Sequence, residues 1–189
     1  MEASIQLAAR GCEIVMCCRN VEKAEKARAE VAKRSGADKA TVYIVQLDLA
    51  DLENIGTFRS RYDTVEGLAN RPVDMLILNA GIMTPPHREE TKQGFEAQLG
   101  TNVIGHFKFL TVMFDLCKAA TQSRIVIVSS IMHKYAHTIH LEDLQREKHY
   151  SKWPAYCESK LADLLLVFKI NRILQEKNIT NVFAVGCHP

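Results

Sequence analysis

Residues 73–81 read Val-Asp-Met-Leu-Ile-Leu-Asn-Ala-Gly, a compact apolar run that stops at an amide and two small residues. Runs that are apolar nearly throughout are typical of strands buried on both faces of a sheet. Further runs of this kind occur along the chain, at 13–18, 41–47, 124–128 and 181–185. Together with 73–78 they predict a set of buried strands that run parallel to one another.

The segments between these strands have the spacing of helices. They are rich in helix-forming residues or carry a broad apolar stripe, and they lie at 21–35, 52–68, 94–119 and 155–176. Residues 3–10, followed by Gly11, predict the last turns of one more helix with its C-terminal glycine. This strand–helix alternation predicts an α/β fold, a doubly wound parallel sheet with helices on both faces. The polar stretch 131–154 is the longest connection, and connections of that length are uncommon unless functional.

The composition indicates an ordinary globular protein. Hydrophobic residues make up 47% and charged residues 24% of the chain, which argues against disorder. The net charge of +2 and the lack of a basic stripe exclude nucleic acid as an expected partner. No apolar run approaches the roughly 20 residues of a membrane span. We expect a cytoplasmic location, with membrane attachment only through an anchor that would precede Met1.

The cysteines favour a reducing compartment. Six are present, and their spacing forms neither a disulfide framework nor paired CxxC zinc ligands. Most lie inside apolar runs, so we expect them to be small buried hydrophobes.

Tyr156 and Lys160 give the strongest chemical signal. They lie four residues apart at the start of a helical pattern, which places both side chains on one helix face. A nearby ammonium favours the phenolate form of a tyrosine, and the pair is then suited to passing a proton to or from a carbinol oxygen. A half-buried tyrosine beside a solvated lysine would have the same spacing, so the pair needs support from its surroundings.

Three other motifs supply that support. The strand at 124–128 ends at Ser129-Ser130, and a hydroxyl at the carboxyl end of a parallel strand faces the ligand crevice of such folds. Small residues in Asn79-Ala80-Gly81 allow the backbone to approach a ligand. Asn102 lies inside a predicted helix, where asparagine is unfavourable and either has a role or is a satisfied polar side chain at a bend.

In order and spacing these motifs resemble the short-chain dehydrogenase/reductase family, over nearly the whole chain. The resemblance implies a single Rossmann-like domain over residues 1–189 that interconverts an alcohol and a carbonyl with a nicotinamide cofactor. It implies that Tyr156 is the general acid/base, that Lys160 supports it and holds the nicotinamide ribose, and that Ser130, or its neighbour Ser129, polarises the substrate oxygen. Asn102 would support the lysine through a water. Segments at 18–20, 94–96 and 128–133 are most similar to the retinol-dehydrogenase branch, which implies a lipophilic, retinoid- or sterol-like substrate.

The resemblance also implies a set of cofactor-binding residues. Besides the catalytic pair they are Arg19, Asp48, Leu49, Asn79, Ala80, Gly81 and Pro189. Arg19 follows the first strand, where an acidic residue would bond a ribose 2′-hydroxyl and an arginine can accommodate a 2′-phosphate. The sequence therefore favours NADP(H) over NAD(H), although a surface arginine at a strand end is the alternative.

The family's glycine-rich turn, with its first strand, and the family's last strand have no counterpart in the sequence. We therefore expect a truncated family member, in which the strands at 13–18 and 73–78 lack the strand that would lie between them. The alternative is a catalytically impaired remnant that binds a protein partner. In either case the helices at 94–119 and 155–176 could join two copies of the chain in a homodimer. A metal site at His133, His137 and His140 is a third hypothesis, disfavoured because no Cys or acidic ligand of suitable spacing completes it.

Overall fold

The computed structural model of the chain describes residues 1–189 apart from the side chain of Ala40. It divides into two compact units. The N-terminal unit comprises Met1–Asp48 and Thr57–Ala69, and the C-terminal unit comprises Leu49–Gly56 and Asn70–Pro189.

The N-terminal unit contains two parallel strands and three helices. In chain order its elements are α1 (Glu2–Ala8), β1 (Ile14–Cys18), α2 (Val21–Ser35), a 3₁₀ turn (Lys39–Thr41), β2 (Val42–Gln46) and α4 (Phe58–Thr64). The ladder between β1 and β2 runs from Ile14 opposite Val42 to Cys18 opposite Gln46. The helix α1 packs on this sheet through Ile5 and Ala8, which join Val31 and Val42 in one apolar cluster.

The C-terminal unit is built on three parallel strands. Its elements are α3 (Leu52–Gly56), β3 (Met75–Leu78), α5 (Ala97–Leu99), a π-helical turn (Gly100–Gly105), α6 (His106–Ala119), β4 (Ser123–Val128), two 3₁₀ turns (Ile131–Tyr135 and Leu141–Asp143), α7 (Lys152–Glu176) and β5 (Val182–Cys187). The strand order is β3-β4-β5. Ile125 and Ile127 on the central strand are fully buried, and α7 contributes Val167, Ile170 and Leu174 to the core.

All five predicted strands are present, and each runs parallel to the strands that it pairs with, which confirms the predicted α/β class. They form two sheets, one in each unit, and within the described residues β1 pairs only with β2 and β3 only with β4. That a further strand would lie between those at 13–18 and 73–78 stays a prediction.

Three predicted helices are wrong in detail. The segment 52–68 is not one helix, because Gly56 and the non-helical Thr57 end α3 before α4 begins, and Val65 is already extended. The segment 94–119 becomes helical only at Ala97, since the Glu96 carboxylate accepts the N–H groups of Gln98 and Leu99 and so caps the helix. The last helix begins at Lys152, three residues before the predicted start at 155.

The π-helical turn requires glycine at its end. A Cβ on Gly105 would lie 2.3 Å from the backbone oxygen of Leu49, a distance that two packed atoms cannot adopt. Turns of the π type are frequent at functional sites. This one contains Asn102, the asparagine that the sequence singles out.

Candidate active site

A cleft of about 170 Å³ lies at the carboxyl ends of the three strands of the C-terminal unit. Asn79 follows β3, Ser129 follows β4, and Pro189 lies just beyond β5. In parallel sheets the carboxyl edge is where ligands bind. The other lining residues are Gly81, Ile82, Met83, Val128, Tyr156 and Lys160.

Tyr156 and Lys160 come together at this cleft as their spacing predicts. Both lie in the first turns of α7, and the Lys160 Nζ is 5.9 Å from the centre of the Tyr156 ring. Tyr156 is half-buried and makes an edge contact with Trp153, with 6.5 Å between ring centroids. The phenol therefore packs beside the indole of Trp153 and contributes to the lining of the cleft.

The Lys160 side chain is buried and held from two sides. Its ammonium donates to the backbone oxygen of Val128 at 3.0 Å and to the Asp163 carboxylate at 2.9 Å. Burial raises the pKa of Asp163 to about 6, against the opposing attraction of Lys160. Asp163 is not among the residues that the sequence motifs predict for the site. The available signal was its spacing, since a carboxylate three residues after a lysine on a helix lies on the same face.

The two serines at the end of β4 have different environments. Ser129 is buried, lines the cleft and donates its hydroxyl to the backbone oxygen of Lys160 at 2.7 Å. Ser130 is half-buried, and its hydroxyl accepts the N–H of Met132 at 3.3 Å, so that it caps the 3₁₀ turn. Ser130 is not among the lining residues of the cleft. Its role in polarising the substrate stays a prediction.

Asn102 is fully buried and ties the loop after β3 to α7. Its amide nitrogen donates to the Ile82 oxygen and to the Ser159 hydroxyl, both at 3.0 Å, and its amide oxygen accepts the Ile82 N–H at 2.9 Å. A Cβ on Gly81 would lie 2.9 Å from the same amide oxygen, so Gly81 must lack a side chain there. Asn102 thus shapes one wall of the cleft.

The imidazole ring of His106 contacts the backbone oxygen of Asn102. Its Nδ1 lies 2.8 Å from that oxygen, and the imidazole is buried. Burial, aided by the charge of Lys160, lowers the pKa of His106 to about 4. The imidazole is therefore neutral at neutral pH.

Of the predicted cofactor residues, Arg19 and Asp48 lie in the N-terminal unit. Arg19 is exposed directly after β1, and the next residue, Asn20, caps α2 by accepting the Lys23 N–H at 2.8 Å. Asp48 is half-buried just after β2. Because β1 and β2 are parallel and Cys18 pairs with Gln46, Arg19 and Asp48 both lie just beyond the carboxyl ends of these strands.

The remaining predicted cofactor residues lie in the C-terminal unit. Asn79, Ala80 and Gly81 are exposed at the end of β3, and Pro189 is exposed beyond β5. Leu49 is buried, and its backbone oxygen faces Gly105 of the π-helical turn.

The connection 131–154 is fastened to α7 by a buried charge cluster that the sequence did not reveal. Glu158 pairs with Arg146, and its Oε1 lies 2.7 Å from the Nδ1 of His140. His133, another residue of the metal hypothesis, places its Nδ1 2.6 Å from the Ser130 backbone oxygen. Among the described side chains, no group of three His, Cys, Asp or Glu residues is placed to hold a metal ion.

All six cysteines are free thiols. The expectation that most are buried is wrong, because only Cys117 and Cys157 are buried. Cys12 and Cys187 are exposed. No helix of the described chain combines the length and apolarity needed to cross a membrane.

Comparison with known proteins agrees with this arrangement. A family model of short chain dehydrogenases matches residues 1–188. Retinol dehydrogenase 12 of Homo sapiens is 36% identical over 100% of this chain and 56% of its own length. Retinol dehydrogenase 13 of Homo sapiens is 37% identical over 95% of this chain and 52% of its own length. The chain belongs to the short-chain dehydrogenase family, and it is similar to its retinol dehydrogenases.

Solved structures show the same fold. The crystal structure of an uncharacterized protein from Mycobacterium paratuberculosis aligns with a TM-score of 0.81 at 35% identity, over 100% of this chain and 62% of that chain. An alcohol dehydrogenase from Thermococcus sibiricus, complexed with 5-hydroxy-NADP, aligns with a TM-score of 0.66 at 19% identity, over 98% of this chain and 70% of that chain. The chain spans about half the length of the curated relatives it matches.

Proposed function

We propose that the protein is an NADP(H)-dependent oxidoreductase that interconverts an alcohol and a carbonyl. The observation that carries the proposal is the placement of the Tyr156 ring and the Lys160 ammonium at one cleft, at the carboxyl edge of a parallel sheet. Membership of the short-chain dehydrogenase family supports the reaction class.

The residues around the cleft fit a nicotinamide cofactor. Gly81 presents bare backbone at the cleft, because a Cβ there would lie only 2.9 Å from the Asn102 amide oxygen. An ammonium has three N–H donors, and two of those of Lys160 are used by Val128 and Asp163. The third is available to a ribose hydroxyl. When bound, the cofactor would supply the hydride acceptor or donor that protein side chains lack.

The protein's own side chains would handle the proton. In alcohol oxidation the Tyr156 phenolate would take the proton of the substrate hydroxyl, and in carbonyl reduction the phenol would return it. The Lys160 ammonium stabilises the phenolate by its charge. The hydroxyl of Ser130 would hold the substrate oxygen, as the family resemblance implies.

We infer a lipophilic substrate for the same site. Ile82 and the exposed Met83 give one wall of the cleft an apolar character. Two of the similar proteins are named retinol dehydrogenases, which supports a retinoid- or sterol-like alcohol or aldehyde as the first substrates to test.

We propose that Arg19 directs the choice of nucleotide by pairing with a 2′-phosphate. Replacing Arg19 with serine is expected to weaken NADPH-supported turnover of an aldehyde about tenfold to a hundredfold. This factor corresponds to the loss of one hydrogen bond to a charged group, which contributes about 1.5–3 kcal/mol. NADH-supported turnover should change little, because NADH has no 2′-phosphate.

The measurement is kcat/KM with each nucleotide, for the wild type and for the Arg19→Ser variant. Arg10, which is exposed in the same unit, gives the matched control as Arg10→Ser. An equal loss with both nucleotides would refute the role of Arg19. A folded wild-type chain that neither binds NADPH nor reduces any aldehyde would refute the proposed function and favour the alternative of a noncatalytic, partner-binding protein.

We also propose that the chain forms a homodimer through α6 and α7. These helices carry exposed apolar side chains, Phe107 on α6 and Leu165 and Phe168 on α7. A contiguous patch of exposed apolar side chains is typical of a surface that another protein covers, and the proposal is that these three residues form such a patch. Equilibrium sedimentation is expected to give twice the chain mass of 21.3 kDa, and Phe168→Glu is expected to shift the protein towards monomer. A wild-type monomer at all concentrations would contradict the proposal.

A further inference from the structure

A buried ion pair lies beneath the cleft. The side chains of Lys160 and Asp163 are 5% and 1% exposed, and Nζ and Oδ2 are 2.9 Å apart. A charge removed from water is costly unless it is paired and hydrogen-bonded. The proposed mechanism uses the lysine but assigns nothing to its carboxylate partner.

The contacts of the pair fix where the ammonium lies. Asp163 holds Lys160 from the side of α7, while the Val128 oxygen holds it from the end of β4 at 3.0 Å. The second carboxylate oxygen, Oδ1, is buried and has no hydrogen-bond partner among the described residues. One carboxylate oxygen of Asp163 therefore accepts a hydrogen bond from the lysine, and the other accepts none from the described residues.

We propose that Asp163 is a positioning residue for the oxidoreductase reaction proposed above: it fixes the Lys160 ammonium at the cleft and, by offsetting its charge, sets the pH range in which Tyr156 works. The inference rests on the proposed function, because it assigns the effect to the proton transfer at Tyr156. When Asp163 is ionised, the field of Lys160 at the phenol is weakened. When Asp163 is protonated, that field acts in full.

The surroundings make this carboxyl sensitive to pH. Burial raises its pKa to about 6, and the charge that opposes this shift is that of Lys160, on the same helix. The end of β4 contributes the uncharged oxygen of Val128. From α6, His106 is affected by the charge of Lys160, and burial lowers the pKa of its imidazole to about 4, so that it is neutral at neutral pH. Tyr156 is the remaining titratable group at the lysine, on α7 itself.

The first test needs no activity. Carboxyl-carbon NMR of the full chain, with Asp163→Asn used to assign the signal, is expected to show Asp163 titrating well above the ordinary aspartate value of about 3.9. Removing the ammonium in Lys160→Met should raise that midpoint further, because only burial would then act on the carboxyl. An ordinary midpoint, or one that Lys160→Met leaves unchanged, would overturn the inferred coupling.

The second test is the pH profile of alcohol oxidation. Asp163→Asn keeps the shape of the side chain and removes its charge. The acid limb of the kcat/KM profile should therefore move to lower pH by about one unit. A shift of that size is the effect expected of one nearby charge in a partly polar protein interior. Asp163→Glu keeps the charge and should restore most of the wild-type profile. Asp115→Asn removes an exposed charge from α6, where the side chain is 87% exposed, and should leave the profile unchanged.

The outcomes separate the two proposals. A profile of Asp163→Asn that superimposes on that of the wild type overturns the positioning role, even if both proteins are active. A loss of kcat/KM by the same factor at every pH, without rescue by Asp163→Glu, also overturns it, because a merely structural role would have that effect. A wild-type chain without turnover refutes the proposed function and the positioning role together, and the NMR titration then still reports whether the pair is coupled.

Discussion

Replacing Tyr156 with phenylalanine is expected to lower kcat for alcohol oxidation and for carbonyl reduction by about 10²–10⁴, the range over which a positioned acid or base contributes. The substitution removes one hydroxyl and keeps the ring that packs against Trp153. No other described side chain at the cleft combines a titratable hydroxyl with an adjacent ammonium. The loss should therefore fall on the chemical step, and the affinity for the nucleotide should change by less than about threefold.

Steady-state kinetics together with a nucleotide titration check this result. Tyr135→Phe is the matched control, because Tyr135 is 69% exposed and does not line the cleft. Its kcat should equal that of the wild type. Retention of at least a tenth of the wild-type kcat by Tyr156→Phe would contradict the acid/base assignment. Equal losses in both variants would point to a general effect on the fold.

The sequence predicted the elements whose signal is local. The four-residue spacing of Tyr156 and Lys160 is enough to bring them together on one helix, and each buried strand is recognisable from its own composition. The split of the segment 52–68 is also local in origin, but a single glycine followed by threonine is a weak signal against an apolar pattern that continues.

The features that the sequence did not predict depend on burial. An aspartate three residues after a lysine on an exposed helix would be an ordinary surface pair, and only the packing of α7 against β4 makes Asp163 a buried counter-ion. Similarly, the sequence offers both Ser129 and Ser130 at the end of β4. The local geometry of the chain after Val128 decides which of the two serines faces the cleft. The composition of the sequence does not predict that geometry.

The buried pair of Arg146 and Glu158 leads to the second large expected effect. Arg146→Met is expected to lower the free energy of unfolding by about 3–5 kcal/mol, the usual cost of removing one partner of a buried ion pair. The two side chains are only 9% and 10% exposed. Without the guanidinium, the Glu158 carboxylate would remain buried with His140 as its remaining described partner. The effect should appear in urea unfolding followed by circular dichroism.

Two further variants isolate the cause of that loss. Arg172→Met removes a partner of the exposed pair with Glu176 on the same helix, where both side chains are more than 60% exposed, and should cost no more than about 1 kcal/mol. The double variant Arg146→Met/Glu158→Leu removes both charges and should recover most of the stability, because well-packed apolar residues can replace a buried pair at little cost. A double variant as unstable as Arg146→Met would mean that the lost stability came from packing.

The same variants test whether the charge cluster of Arg146, Glu158 and His140 affects substrate binding at the cleft. Glu158 lies two residues from each member of the catalytic pair, between Tyr156 and Lys160 on α7, and it fastens the connection 131–154 to that helix. Arg146 adopts a φ of 54°, a left-handed conformation that a non-glycine residue keeps only when its surroundings hold it there. If the ordered connection contributes to binding of the lipophilic substrate, the double variant should be stable and yet have a raised KM for that substrate. A stable double variant with unchanged KM would show that the cluster serves the fold alone.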